Sequence, residues 1–259
     1  MASFQKIKTA VSAGVYTITL SYPERRNAIG PVMTNELLHA LAEADADAAV
    51  RAVVITGEGK AFCAGGDFGA MTGGADENAL PPKGDYADLL LALTRFEKPV
   101  IAKVNGAAMG GGLGLVAAST FAVASSEAQF GTPEINVGLF PMMIMAVLAR
   151  IVPKRQLLTM MLFGEKMDAN AAANAGLVTS VVPADALDGA VNDLAAKLIA
   201  KSPITLRLGL RAYALQADMD LEQALPILRE KLGECLGTDD AREGLMAFLE
   251  KRTPNWTGK

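Results

Sequence analysis

Three consecutive glycines, Gly110, Gly111 and Gly112, follow the apolar run 99–104 and open a helical pattern. Without side chains they leave backbone N–H groups bare at a helix start, where the macrodipole favours negative charge. An earlier segment, GKAFCAGGD at 59–67, follows a second apolar run at 52–56 and could present another bare N–H from a small residue. Two such donors aimed at one point would make an oxyanion hole, each worth roughly 3–4 kcal/mol to a carbonyl oxygen that gains charge. Either loop alone reads more simply as a tight turn. Glu134 follows Pro133 among apolar Ile135, Val137 and Leu139. A carboxylate there could sit in a low-dielectric pocket that raises its pKa toward neutrality, as a general acid or base requires.

The same glycines admit a rival chemistry. Gly112, Gly114 and Ala117 fit G-x-G-x-x-A, with Glu134 about twenty residues on, the spacing of an NAD-dependent oxidoreductase. Against it, seven residues, 105–111, separate the strand from the first fingerprint glycine, and Glu134 does not close a second strand.

Other classes are excluded by what the chain lacks. One histidine, His39, stands in the helical pattern 33–46, where a solvated face is expected. A zinc site built on two or three histidines is impossible, and Ser-His-Asp or Cys-His chemistry would rest on that one residue, so no metal is expected. Cys63 has no base beside it and reads as a small apolar filler, and with Cys235 as a reduced thiol. A net charge of −4 and 5% aromatics give no field or stacking platform for nucleic acid. No apolar stretch is long enough for a bilayer span and no leader pattern opens the chain, so a cytoplasmic protein is expected.

The elements that must position these groups are short apolar strands alternating with helices. Strands are expected at 15–20, 52–56, 100–104, 120–124 and 178–182, and helices at 33–46, 86–96, 112–118 and 142–151. Near-continuous apolar runs imply strands buried on both faces, hence an α/β architecture with helices over the sheets. After 185 the pattern is helical only, at 187–201, 203–216, 221–236 and 240–251, with Ser202-Pro203 marking a stop and restart. This divides the chain into a core at 1–185 and a helical region at 186–259. The loop 71–84, bracketed by Gly73-Gly74 and Pro81-Pro82, is expected to be mobile.

Seven segments in one order carry a resemblance: RRNA at 25–28, AFCAGGD at 61–67, KPVIAKVNG at 98–106, the glycine triplet, FGTPEINVGL at 130–139, AGLV at 175–178 and DAREGLMAFLEKR at 240–252. Together they resemble the crotonase (enoyl-CoA hydratase/isomerase) superfamily across nearly the whole chain. The resemblance implies a spiral of ββα turns, an acyl-CoA thioester substrate with no separate cofactor, and a trimer or dimer of trimers built by the C-terminal helices. It implies that the N–H groups of Ala64 and Gly111 hold a thioester enolate oxygen while Glu134 moves the proton. For coenzyme A it implies Arg25, Arg26, Ala28, Ala64, Gly66 and Asp67, with Lys251 reaching from a neighbouring subunit.

Two departures bear on the reaction. Two-carboxylate hydratases of the family carry a glutamate where this chain has Gly114 between Leu113 and Leu115. Adding water is helped by two acids, whereas moving a double bond from C3 to C2 needs one group that takes a proton and returns it. Δ3,Δ2-isomerisation is therefore the expected activity, with 2-enoyl-CoA hydration and non-catalytic acyl-CoA binding as alternatives. The stretch LFPMMIMAVLAR at 139–150 replaces a glycine-rich turn, and Met142, Met143 and Met145 there either line an acyl pocket or fill the core.

Overall fold

The computed structural model describes residues 4–67, 69 and 80–259. The hairpin of β1 (Ile7–Ser12) and β2 (Val15–Leu20) leads through α1 (Pro31–Ala46) into a repeated unit. In it β3 (Ala52–Gly57) and β4 (Ala61–Cys63) precede α2 (Tyr86–Thr94), and β5 (Val100–Val104) and β6 (Ala107–Met109) precede α3 (Gly111–Ala118). The third turn runs β7 (Phe121–Ser125), β8 (Gln129–Gly131) and a short 3-10 helix, Pro133–Val137. Then come α4 (Met142–Leu148), α5 (Lys154–Phe163), β9 (Lys166–Asp168), α6 (Ala169–Asn174) and β10 (Ser180–Val182).

Each unit gives its first strand to a six-stranded sheet, β1-β2-β3-β5-β7-β10, and its second to a four-stranded sheet, β4-β6-β8-β9. This is the expected ββα spiral. Apart from β1 and β9, which pair antiparallel, the strands run parallel. All six residues of β3 are buried. Val53 and Ile55 join the main core with Leu37 and Leu41 of α1. On the other face, Val54, Ile101 and Val123 pack on Leu187 and Val191 of α7 (Leu187–Ile199). The apolar runs thus locate the larger sheet, while the three-residue strands of the smaller one carry no period to read.

Two amides, Asn27 buried and Asn105 partly buried, stitch the corner between the sheets. Asn27 accepts from Tyr22 N–H at 2.9 Å and donates to the carbonyls of Glu58 and Ala61, both at 2.9 Å. Asn105 accepts from Gly57 N–H at 3.1 Å and donates to Gly59 carbonyl at 2.9 Å.

The C-terminal helices are α8 (Pro203–Gln216), α9 (Leu221–Leu236) and α10 (Asp239–Glu250). Ser202 caps α8, its hydroxyl accepting from Thr205 N–H at 3.1 Å. Asp240 is buried and fastens the tail, accepting from Ser202 Oγ at 2.7 Å and Thr257 N–H at 2.7 Å. Burial alone would raise its pKa, but these bonds and those from Thr257 Oγ1 and Gly258 outweigh it and hold the carboxyl below its usual range. Among the described residues no helix is long and apolar enough to cross a membrane. The loop expected at 71–84 lies, through residue 79, outside the described residues.

Candidate active site

The smaller sheet builds the site. β4, β6 and β8 run parallel, with Cys63 beside Ala108 and Met109 beside Gly131, so their C-terminal ends open on one edge. That edge carries 64–67, the glycine triplet and 132–134. Gly110 N–H donates to Gly131 carbonyl at 2.9 Å and extends the pairing to the helix start. Gly110 has φ 47° and ψ −121°, and a Cβ on it would lie 2.7 Å from Glu134 Oε1. Only glycine lets the helix start approach that carboxylate.

A cavity of about 430 Å³ opens here, lined by Gly66, Tyr86, Gly111 and Glu134, and further out by Phe140 and Met143. Gly111 is the first residue of α3, so its N–H has no carbonyl of its own helix to meet and has no acceptor among the described residues. In the other loop Ala64 is tied back to the preceding turn. Its N–H donates to Arg26 carbonyl at 2.9 Å, and Ala64 does not line the cavity. The next residues form a parallel bridge to Ile29, which donates to Gly65 carbonyl at 2.8 Å and accepts from Asp67 N–H at 2.9 Å. Gly66, between them, lines the cavity, and its own N–H points away from Ile29 without an acceptor among the described residues.

Glu134 stands at the start of the 3-10 helix, with Oε2 shut from solvent and without a hydrogen-bond partner among the described residues. Burial raises its pKa above the ordinary 4.5, opposed by its own backbone N–H. A carboxylate left so is costly to keep charged and easy to protonate, the state a proton carrier needs.

Opposite stands Tyr86, the first residue of α2, which sequence reasoning passed over. Its hydroxyl donates to Gly111 carbonyl at 2.5 Å. A Cβ on Gly114 would lie 2.2 Å from that oxygen and 2.6 Å from Ile144 Cγ2, so a carboxylate does not fit at position 114 beside this tyrosine. Burial, then the nearby Cys63 and Glu134, push the phenol well above its ordinary value and keep it neutral.

A sequence model of the enoyl-CoA hydratase/isomerase family matches residues 10–259. The chain belongs to that family. It is 34% identical to a probable enoyl-CoA hydratase of Bacillus subtilis (strain 168), over 98% of this chain and 99% of that one. It is 35% identical to the 2,3-dehydroadipyl-CoA hydratase of Escherichia coli (strain K12), over 95% and 96% of the two chains. The crystal structure of an enoyl-CoA hydratase from Mycobacterium smegmatis superposes with a TM-score of 0.88 at 34% identity, covering 97% of this chain and 99% of the other.

Of the residues that the enoyl-CoA hydratase/isomerase pattern points to, Arg26 and Ala64 are joined by a backbone hydrogen bond and the bridge at Ile29, next to Ala28, meets Gly66 and Asp67, while Arg25 is exposed on the same turn. Arg26 and Asn27 both adopt left-handed backbone, φ 51° and 58°, a strained turn pinned by Asn27. Lys251 is exposed, caps α10 with φ 56°, and does not line the cavity. The rival fingerprint glycines are packing contacts, because a Cβ on Gly112 would lie 2.5 Å from Cys63 Cβ and Gly114 faces Tyr86. Neither offers an open cradle for a pyrophosphate. Cys63 is buried and its thiol is pushed up to about 11 by burial, which suits a filler. His39 is half-buried rather than solvated and meets Pro81 carbonyl at 2.8 Å. The methionines divide, Met142 and Met143 lining the cavity while Met145 packs on the core.

Proposed function

We propose that this chain is a Δ3,Δ2-enoyl-CoA isomerase that holds the thioester enolate oxygen on the N–H groups of Gly66 and Gly111 and passes one proton through Glu134. The supporting observation is that, of the two carboxylates that line the cavity among the described residues, Glu134 alone is free to act. The other, Asp85, caps α2 by accepting from Ala87 and Asp88 N–H at 2.8 and 3.1 Å. Glu134 takes the proton from C2, the electron pair spreads over the dienolate, and the same proton returns to C4 as the double bond settles between C2 and C3. Two free N–H groups match the charge on the thioester oxygen.

Hydration of 2-enoyl-CoA is the second reading, favoured by the names of the relatives. With purified protein, 3-enoyl-CoA is expected to turn over faster than 2-enoyl-CoA is hydrated. Efficient hydration with no isomerisation would replace the first reading by the second. The lining suits an aliphatic acyl chain, since no Lys or Arg among the described residues faces the cavity to meet a distal carboxylate.

The pH profile follows from the raised pKa of Glu134. Abstraction needs the carboxylate, so kcat/KM should fall as pH drops through the folded pKa, and that limb should lie above the ordinary 4.5. A limb at or below that value would show an unperturbed carboxylate.

Coenzyme A is assigned to the turn of Arg25, Arg26 and Ala28 with Gly66 and Asp67, guanidinium groups being apt for phosphate. Lys251 would serve a neighbour's nucleotide. Assembly through 186–259 is supported by apolar side chains left in water, Phe248 at 81% and Leu249 at 73% exposure among them. Sedimentation velocity should give three or six times the 27.0 kDa protomer, and a stable monomer that turns over acyl-CoA would contradict this assembly.

A further inference from the structure

Among the described residues Tyr86 is the one ionisable side chain of the cavity that the proton shuttle does not use and no cap consumes. It is held there from two sides. Asn35, buried on α1, donates to Pro81 carbonyl at 3.1 Å and accepts from Lys83 N–H at 2.7 Å, fixing the segment that delivers Asp85 and Tyr86. At its other end the phenol oxygen is tied to Gly111 carbonyl and stands 2.2 Å from the Cβ that any larger residue at 114 would bring. The ring therefore closes the wall of the cavity that faces Glu134 across the glycine triplet, and its proton is already committed to a backbone carbonyl.

We propose that Tyr86 determines reaction specificity, its ring and hydroxyl filling the volume beside Gly114 and so denying water a position from which to attack the reacting carbons. This rests on the reading of Glu134 as sole proton carrier. A phenol kept neutral by burial cannot activate water itself. Reaction at this wall is thereby limited to transfers that need no second base.

The test has two arms. The first is a thermal-denaturation cycle of wild type, Gly114→Ala, Tyr86→Leu and the double variant. Gly114→Ala should lower Tm in the wild-type background and lower it by less in the Tyr86→Leu background, which removes the contact with the phenol and leaves the one with Ile144. Equal loss in both backgrounds overturns the shared volume. The second arm measures hydration of 2-enoyl-CoA against isomerisation of 3-enoyl-CoA. The ratio should rise in Tyr86→Phe, which frees only the space of the hydroxyl, by less than in Tyr86→Leu and Tyr86→Ala, where it should rise roughly tenfold or more. An unchanged ratio in folded Tyr86→Leu overturns the proposal. Wild-type turnover of neither ester overturns the isomerase reading alone. New hydration in Tyr86→Leu then still supports exclusion of water, and no new hydration overturns it.

Discussion

Glu134→Gln is expected to reduce kcat by about 10³-fold while the affinity for an acyl-CoA ester stays within a few-fold, because positioned proton transfer contributes roughly 10²–10⁴ in rate. Amide and carboxyl have nearly the same shape, so the contacts that bind the thioester survive and only the proton carrier is lost. Stability should move the other way. Folding raises the pKa of Glu134, so the folded state favours the protonated form. Its contribution is fully present below the unfolded pKa and is lost as pH rises through the folded one. At neutral pH the anion, with Oε2 buried and without a partner among the described residues, weighs against folding. The glutamine variant should therefore gain Tm relative to wild type at neutral pH, with the gain shrinking as pH falls below the folded pKa. Such a trade of stability for activity is common where a site is strained or poorly solvated. Turnover near the wild-type rate would remove Glu134 from the chemistry, and a neutral-pH Tm at or below wild type would show that its burial is not the source of its raised pKa.

Deleting the Gly111 donor should cost about 10²–10³ in kcat. Proline does this with little harm to the helix, since residue 111 is the first of α3, where a missing N–H breaks no helical bond. The obstacle is steric, as a Cβ at 111 would lie 2.7 Å from Ile29 Cγ2. The clean comparison is Ile29→Ala/Gly111→Pro against Ile29→Ala, which removes the clash from both sides. A folded double variant as active as its parent would remove Gly111 from the oxyanion hole.

The larger sheet was legible where its central strands are largely buried on both faces and read as near-continuous apolar runs, as at 52–56 and 100–104. The family pattern made the glycine triplet and Glu134 legible as well. The smaller sheet was not, since segments such as Gln129–Gly131 are too short to show a period. Hence the choice between Ala64 and Gly66 could not be made from sequence. It depends on which N–H is spent on Arg26 and which is turned from the bridge at Ile29. Tyr86 left only an indirect signal, an aspartate in N-cap position just before it. Its contact with Gly114, on a different helix, is a product of tertiary packing alone. The room that a substitution at 114 would need was equally invisible from the sequence.

The central claim, that one carboxylate takes the proton from C2 and returns it to C4 over an enolate held by Gly66 and Gly111, is tested most directly by tracing hydrogen. 3-Enoyl-CoA converted in D₂O under single-turnover conditions should give 2-enoyl-CoA in which part of the hydrogen at C4 is the protium removed from C2. Product with only solvent deuterium at the newly formed C–H bond, accompanied by a C3 hydroxyl, would contradict the claim and show that water, not a shuttled proton, completes the reaction.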